Sequence, residues 1–354
     1  MSSPAPPPTM QQIADAAGVS RMAVSLALRN SPKISAATGS RIRQLADELG
    51  YRPNPMVSAL MTQLRQARDV KKPSVLAYVT AFPTEAGWRR PGLALAFHDG
   101  AQQRASELGY TLEEWWLRRP GMTERRFCEI LATRNIHGLV VAPLPAGSDA
   151  LQFDWPHFAA ATISYSLSEP SLNRASNDHF TSINVAIHEL SALGYRRIGL
   201  AVPDETDTRV EHQWTAAMLA YQQRIPVTER VPSLVRMAPN ALSFANWYQE
   251  HQPHAVLSLG GECLRVFADL GLRVPQDVGF ANLALTSADE TTAGVNQHSE
   301  LVGAAAVDLV DAQLRRNERG VPQHSKTVLI SGEWVPGPTV RDLRVRLSRA
   351  RVRV

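Results

Sequence analysis

Between residues 73 and about 340, short apolar runs of strand character alternate with longer segments of helical periodicity, which restricts the chain to few folds. SVLAYVT from Ser74, TLEEWWL from Thr111, GLVVAP from Gly138, AAATISY from Ala159, RRIGLAV from Arg196, AVLSLG from Ala255 and DVGFANL from Asp277 read as strands. FHDGAQQRASELGY from Phe97, stretches near Glu124 to Arg134 and Ser182 to Leu193, VEHQWTAAMLAYQQR from Val210 and ECLRVFADLG from Glu262 read as helices. Repeated units of this kind imply parallel sheets covered by helices, with ligands received at the carboxyl ends of the strands. A stretch of about 270 residues is expected to divide into two lobes with a cleft between them.

The first sixty residues follow a different pattern. After a Pro-rich start, Thr9 is placed to cap a helix whose apolar residues Met10, Ile13, Ala14 and Ala17 recur at helical spacing, and Gly18 ends it. Ser20 caps a second helix that buries Val24, Ala27 and Leu28 and turns Arg21, Met22, Ser25 and Arg29 outward. A third begins near Ser35, sets Ile42, Leu45, Ala46 and Leu49 on one face, and stops at Gly50. Two helices joined by a tight Gly-Val turn form a helix-turn-helix, whose second helix enters the DNA major groove with its N-terminal residues first. The charge distribution agrees. Residues 1–72 carry a net +6 and the last fourteen residues +5, leaving an acidic body at −7. Such asymmetry suits polyanion binding at the N-terminal end, while a short basic tail is more simply a solvated segment.

TMQQIADAAGVSRMAVSLALRN followed by SAATGSRIRQLADELGYRPNP resembles the DNA-binding headpiece of the lactose-repressor and galactose-repressor family, in register over about fifty residues. The resemblance implies that Arg21 and Met22 read base edges, with Leu26 in a third base-facing place, and that Ser20 and Ser25 contact phosphate or base. Thr9 and Arg29 complete the DNA-contacting set. An aliphatic Leu26 can press on a thymine methyl but cannot grip guanine as an arginine does. A solvated helix face is the competing reading of these residues. Arg41, Arg43 and Arg52 are expected to meet phosphates or solvent. NPMVSALMTQLR resembles the family's hinge helix, which folds in the minor groove, with Asn54, Val57 and the wedge Leu60 on the DNA; a plain apolar stripe along Met56, Leu60 and Met61 is compatible with the same assignment.

The body resembles the type I periplasmic-binding-protein fold that the same family places after its hinge. The landmarks are ELGY, IHGLVVAPL, SNDHF, LGYRRIGLAV, GLRVPQDVGF, VNQH with the helix GAAAVDLVDAQL, and WVPGPTVR. The fold class is thus an α helix-turn-helix headpiece followed by an α/β two-lobed periplasmic-binding-protein-like domain. Its parts are a tail at 1–8, the headpiece at 9–53, hinge and linker at 54–72, the effector-binding and dimerisation domain at 73–340, and a basic tail at 341–354. Trp88, Asp178, Arg209, Trp214, Glu262, Asn282 and Gln297 follow strand ends and are the candidates for the effector cleft. For each a structural role competes, and Asp178 has the option of satisfying backbone at the lobe crossover. Two places that carry sugar-binding polar groups in the family are altered: one reads Gly260, Gly261, Glu262, and the other Leu283, Ala284, Leu285, so the carboxylate that would grip sugar hydroxyls is missing. Trp115, Trp116, Trp155 and Trp247 are expected to pack.

The function implied is a sequence-specific transcription regulator, a repressor by family habit, with double-stranded operator DNA, a small-molecule effector such as a sugar or sugar derivative, and a second copy of itself as partners. The alternatives are a solute-binding protein without DNA function, which the headpiece opposes, and a regulator whose effector site is degenerate. An enzyme is opposed by the lack of a GxSxG elbow, a P-loop or a dinucleotide fingerprint. His98, His179, His188, His212 and His298 form no recognisable cluster and read as surface or hydrogen-bonded residues. Cys128 and Cys263 lie far apart with no CxxC, so neither disulfide, metal nor cofactor is expected. Without an apolar run of about 18 residues or a basic, apolar leader, the chain is expected in the cytoplasm, at the nucleoid when DNA-bound, with no membrane partner.

Overall fold

The computed structural model describes residues 8–28, 31, 33–51, 74–89, 92–236, 241–286 and 291–344. Arg29, Arg52, the hinge residues Asn54, Val57 and Leu60, and the tail beyond Arg344 lie outside them.

Three helices build the first unit: α1 (Met10–Ala17), α2 (Arg21–Leu28) and α3 (Ala36–Glu48). Thr9 caps α1 through a reciprocal box with Gln12, and Gly18 closes the helix in the left-handed conformation at φ 63°. Ser20 Oγ accepts the Ala23 N–H at 3.2 Å, and Ser35 caps α3. Ile13, Ala14, Ala17, Val24, Ala27, Ile42 and Ala46 form the shared core, while Leu28 and Leu45 pack at its margin. Leu49, expected on the packed face, is 41% exposed, because the helix has already ended there. Arg41, which is exposed, and Arg43, half-buried, also have a role within the headpiece. Arg41 donates to the carbonyl of Ala17 and Arg43 to that of Ala27 at 3.2 Å, so each satisfies an orphan carbonyl at the C-terminal end of a neighbouring helix.

The body holds two six-stranded sheets. The first runs β11-β5-β4-β3-β1-β2, from β1 (Ser74–Thr80), β2 (Tyr110–Trp116), β3 (Gly138–Val141), β4 (Ala159–Ile163), β5 (Asn173–Asn177) and β11 (Thr327–Ile330), with every pairing parallel. The second runs β12-β10-β9-β8-β6-β7, from β6 (Ile198–Pro203), β7 (Leu234–Arg236), β8 (Ala255–Ser258), β9 (Gly279–Leu285), β10 (Gly294–Asn296) and β12 (Glu333–Val335). Only β12 runs antiparallel to its neighbour. Each sheet carries two buried apolar clusters, as parallel sheets covered on both faces require. Trp155 and Trp247 lie in these cores, Trp115 packs against one, and the Trp116 indole donates to Phe82 O at 2.8 Å.

The chain passes between the lobes three times. It leaves the first lobe after β5 into α6 (His179–Ala192), returns after β10 into α11 (Ser299–Arg316), and crosses again between β11 and β12. The crossings are tied together, because Asn177 Nδ2 donates to Gln297 O at 2.8 Å and Asp178 N to Ile330 O at 2.9 Å. On its return α11 lies against α4 (Leu93–Glu107). A Cβ at Gly100 would meet Glu300 O at 1.8 Å, and one at Gly303 would meet Phe97 O at 1.9 Å.

The strand β5 and the short strands β7, β10, β11 and β12 were not among the expected elements. NRASN lacks a strand's apolar content yet is largely buried, since its ladder partners lie on both sides. The helix expected from Val210 begins only at Gln213, as α8 (Gln213–Gln222), and an unexpected short helix, α7 (Asp204–Arg209), precedes it, with Glu211 and His212 at φ 56° and 58° in the break. The buried Asp207 carboxylate accepts from Thr215 N at 3.2 Å, Thr215 Oγ1 at 2.8 Å and His212 Nδ1 at 3.1 Å, and so holds the break.

Gly303→Ala is expected to destabilise the body by about 3 kcal/mol, because the added methyl meets backbone that cannot move aside without separating the helices. A helix-interior Gly→Ala change made in open space would instead gain up to about 1 kcal/mol. Urea unfolding of the purified variant reads the sign.

Candidate DNA-reading helix and inter-lobe site

The N-terminal half of α2 projects from the first unit. Val24 and Ala27 face inward, which turns Arg21 and Met22 fully outward, with Met22 71% exposed, and leaves Ser25 and Leu26 half-buried on the same side. Positions 21, 22, 25 and 26 share one helical face by their spacing of one and four residues. Ser20 is exposed, but its Oγ already accepts the Ala23 N–H, so it has its hydroxyl proton to offer a phosphate. Thr9 differs, because its hydroxyl accepts Gln12 N at 3.4 Å and also donates to Gln12 Oε1 at 3.3 Å. The result is a short convex ridge with a guanidinium at a helix N-terminus. Its width suits the major groove of about 12 Å.

The seven cleft candidates do not gather in one place. Trp88 is buried in the first lobe, its ring 4.4 Å from His98 and 6.0 Å from Tyr78 with the Arg89 guanidinium over it, so it works there as packing. Glu262 opens α10 (Glu262–Asp269) with its side chain 83% exposed, 3.9 Å from Arg265. Asn282 is buried; its Oδ1 accepts Gly260 N and Ala284 N, both at 3.0 Å, and so pins the ends of β8 and β9. Asp178 caps α6, accepting Thr181 N at 2.9 Å and Thr181 Oγ1 at 2.8 Å, the backbone role foreseen as the alternative.

Arg209, Trp214 and Gln297 reach the junction of the lobes. Arg209, at the end of α7, extends from the second lobe to donate to Leu144 O in the first at 2.6 Å. Trp214, in the first turn of α8, is 1% exposed, and its Nε1 has no hydrogen-bond partner among the described residues. Gln297 sits on the second crossing, where its amide donates to Leu283 O and its Oε1 is left without a partner.

Three residues not among the candidates complete this junction. His179, read from sequence as a surface or hydrogen-bonded histidine, is buried, and neither ring nitrogen finds a partner among the described residues. Its ring lies 4.5 Å from Trp214 and 6.4 Å from Tyr165, and the Arg174 guanidinium sits 4.6 Å over the Tyr165 ring. His179 directly follows Asp178, so its neighbourhood was legible; its burial was not. Burial drives its pKa down to about 4, against a weaker upward pull from Asp178. At neutral pH it is the uncharged imidazole, with one donor and one acceptor.

Residues 9–54 match the family described as Bacterial regulatory proteins, lacI family, and residues 187–340 match the Periplasmic binding protein-like domain. The chain is 26% identical to the HTH-type transcriptional regulator PtxS of Pseudomonas plecoglossicida, over 88% of this chain and 90% of that protein. It is 23% identical to the HTH-type transcriptional regulator KdgR of Bacillus subtilis (strain 168), over 89% of this chain and 93% of that one. Two solved structures share the fold: a transcriptional regulator CelR–cellobiose complex, at TM-score 0.54 and 20% identity over 94% of this chain and 99% of that one, and a lac repressor dimer bound to operator and the anti-inducer ONPF, at TM-score 0.52 and 18% identity over 95% and 100%. A helix-turn-helix ahead of a two-lobed sensor fold defines a DNA-binding transcription regulator rather than an enzyme. Residues 9–54 thus carry the lacI-family DNA-binding domain, and the chain is similar over most of its length to HTH-type transcriptional regulators.

The histidine has a consequence for stability. Between pH 6.5 and about 4 the unfolded chain binds a proton on His179 that the folded chain refuses, so stability falls as pH falls through that window and rises with pH within it. The full loss approaches about 3 kcal/mol and stops once pH passes below the folded value. Comparing the pH dependence of urea midpoints for the native chain and His179→Phe is expected to show this component missing from the variant.

Proposed function

We propose that this protein is a homodimeric repressor whose residues 9–53 read an operator half-site, whose residues 54–72 form a hinge in the minor groove, and whose body at 73–340 senses a small molecule in the inter-lobe cleft. The observation that carries the reading is the outward ridge of Arg21, Met22, Ser25 and Leu26 over a closed three-helix core. Arg21 and Met22 read base edges, Leu26 meets a thymine methyl or similar apolar edge, and Thr9, Ser20, Ser25 and Arg29 position the helix. Asn54 and Val57 line the hinge, and Leu60 wedges between base steps. The site of action is the cytoplasm. Among the described residues no helix is long and apolar enough to cross a membrane.

The effector reading rests on the junction at Arg209, Trp214 and Gln297, to which Arg174, Tyr165 and His179 are added. The solved structures that share the fold include a cellobiose complex and a complex with the anti-inducer ONPF, which supports a carbohydrate-like effector here. The effector closes or opens the lobes about the three crossings, and the dimer passes the change to the paired hinges. This coupling requires unequal effector affinity for the two lobe arrangements, and operator DNA then alters effector affinity by the same factor. The tail expected from Arg341 starts inside the second lobe, where Arg341 N donates to the Tyr195 hydroxyl at 3.0 Å and Leu343 N to Leu193 O at 2.9 Å.

Selection of genomic fragments by the purified full-length protein at fixed salt is expected to enrich a palindrome whose half-sites lie about one helical turn apart, or a multiple of it. An enriched site without two-fold symmetry would exclude the dimeric reading. On the selected operator, Arg21→Ala is expected to lower affinity by roughly tenfold to a hundredfold and to relax preference at one base pair, by mobility shift at constant salt. Leu60→Ala is expected to lose affinity and DNA bending while circular dichroism stays unchanged; equal bending by the variant would remove the wedge.

A further inference from the structure

Four side chains at the lobe junction form one continuous row: the Arg174 guanidinium over Tyr165, Tyr165 beside His179, and His179 against Trp214. Arg209 approaches the same place from the second lobe. It donates to Leu144 O, and the Leu144 N–H donates to Ser166 Oγ at 2.8 Å, next in the chain to Tyr165. Arg174 donates to Leu167 O at 3.0 Å, so both guanidiniums hold backbone carbonyls around the segment that follows β4.

Much of the hydrogen-bonding capacity in this row is unspent. Both His179 nitrogens, Trp214 Nε1 and Arg174 Nε have no partner among the described residues, although His179 is 6% and Trp214 1% exposed. Native proteins rarely leave several such groups unsatisfied together, because each costs about 1–3 kcal/mol. Something polar belongs there.

The charge at the junction narrows what it is. The two nearby buried or capped carboxylates are already engaged, Asp178 by Thr181 and Asp207 by His212 and Thr215. Glu211 stands 3.9 Å from Arg174 but is 69% exposed, so water screens it. Glu262 faces solvent, and the end of β9 offers only the apolar Leu283, Ala284 and Leu285. Among the described residues Arg209 therefore meets no carboxylate within ion-pair distance and Arg174 meets only the solvent-screened Glu211, beside a neutral imidazole and an indole N–H.

Resting on the reading of this junction as the effector site, we infer that the effector is a small hydroxylated anion rather than a neutral sugar. Its oxyanion lies between Arg174 and Arg209, whose planar forks suit carboxylate or phosphate. One hydroxyl donates to the unprotonated nitrogen of His179, and others accept from its N–H and from the Trp214 N–H.

The test is titration calorimetry on the full-length protein with aldonates and aldose phosphates, D-gluconate and D-glucose 6-phosphate among them, each beside its neutral parent sugar. At least one anion is expected to bind while its parent does not, and the arm that binds tells carboxylate from phosphate. Arg174→Gln and Arg209→Gln are each expected to weaken that binding about tenfold or more, with Arg174→Lys retaining part of it. Circular dichroism of each variant separates lost binding from lost folding. Neutral sugars binding as well as or better than the anions would overturn the inference and leave the cleft reading in place. An anion bound equally by the Arg174, Arg209 and Trp214→Phe variants would overturn both, since its site would lie elsewhere. Binding of none of the anions would overturn the inference.

Discussion

The helix Ser299–Arg316 lies on Leu93–Glu107 with backbone against backbone, made possible by Gly100 and Gly303 facing each other's chain. That contact draws the chain out of the second lobe and back to the first. Ala306, Val307 and Val310 then enter the first lobe's core with Phe97, Ala101 and Ala105. Once the helix is there, β11 must complete the first sheet and β12 the second, and the polypeptide has to cross between lobes three times. Asn177 to Gln297 and Asp178 to Ile330 bind the crossings side by side. A narrow hinge of this kind allows the lobes to rotate while each sheet stays whole.

The junction beside that hinge is a place where polar groups are buried without being satisfied. Other buried polar groups beside it are closed by protein partners: Asp207 accepts three hydrogen bonds, and Asn282 ties two strand ends. The clustering of open groups on His179 and Trp214, ring against ring, sets the junction apart. It also explains why residues chosen only for following a strand end were divided by the structure. Asn282 and Asp178 hold the scaffold, whereas Arg209 and Trp214 border the unsatisfied row.

The headpiece was legible in detail because its signals are local. A capping threonine, a left-handed glycine and apolar residues at helical spacing act within a few residues of one another. The capping role of Arg41 and Arg43 was not legible, because the carbonyls they hold, on Ala17 and Ala27, belong to other helices and only the packed core brings them near. The same limit hid β5, a polar segment made into a strand by neighbours on both sides, and the late start of α8 at Gln213, held by a carboxylate outside that helix.

By itself, then, the sequence determined three capped helices with an outward Arg21–Met22 edge, and alternating strands and helices that could only close as parallel sheets, since periodicity and capping are short-range. Tertiary structure alone decided which distant groups meet. Arg209 reaches Leu144, Asn177 reaches Gln297 and His179 meets Trp214 because the returning helix forces the crossings that align them. Whether a polar side chain is satisfied or left open for a ligand depends on those long-range neighbours, and no local pattern along the chain encodes them.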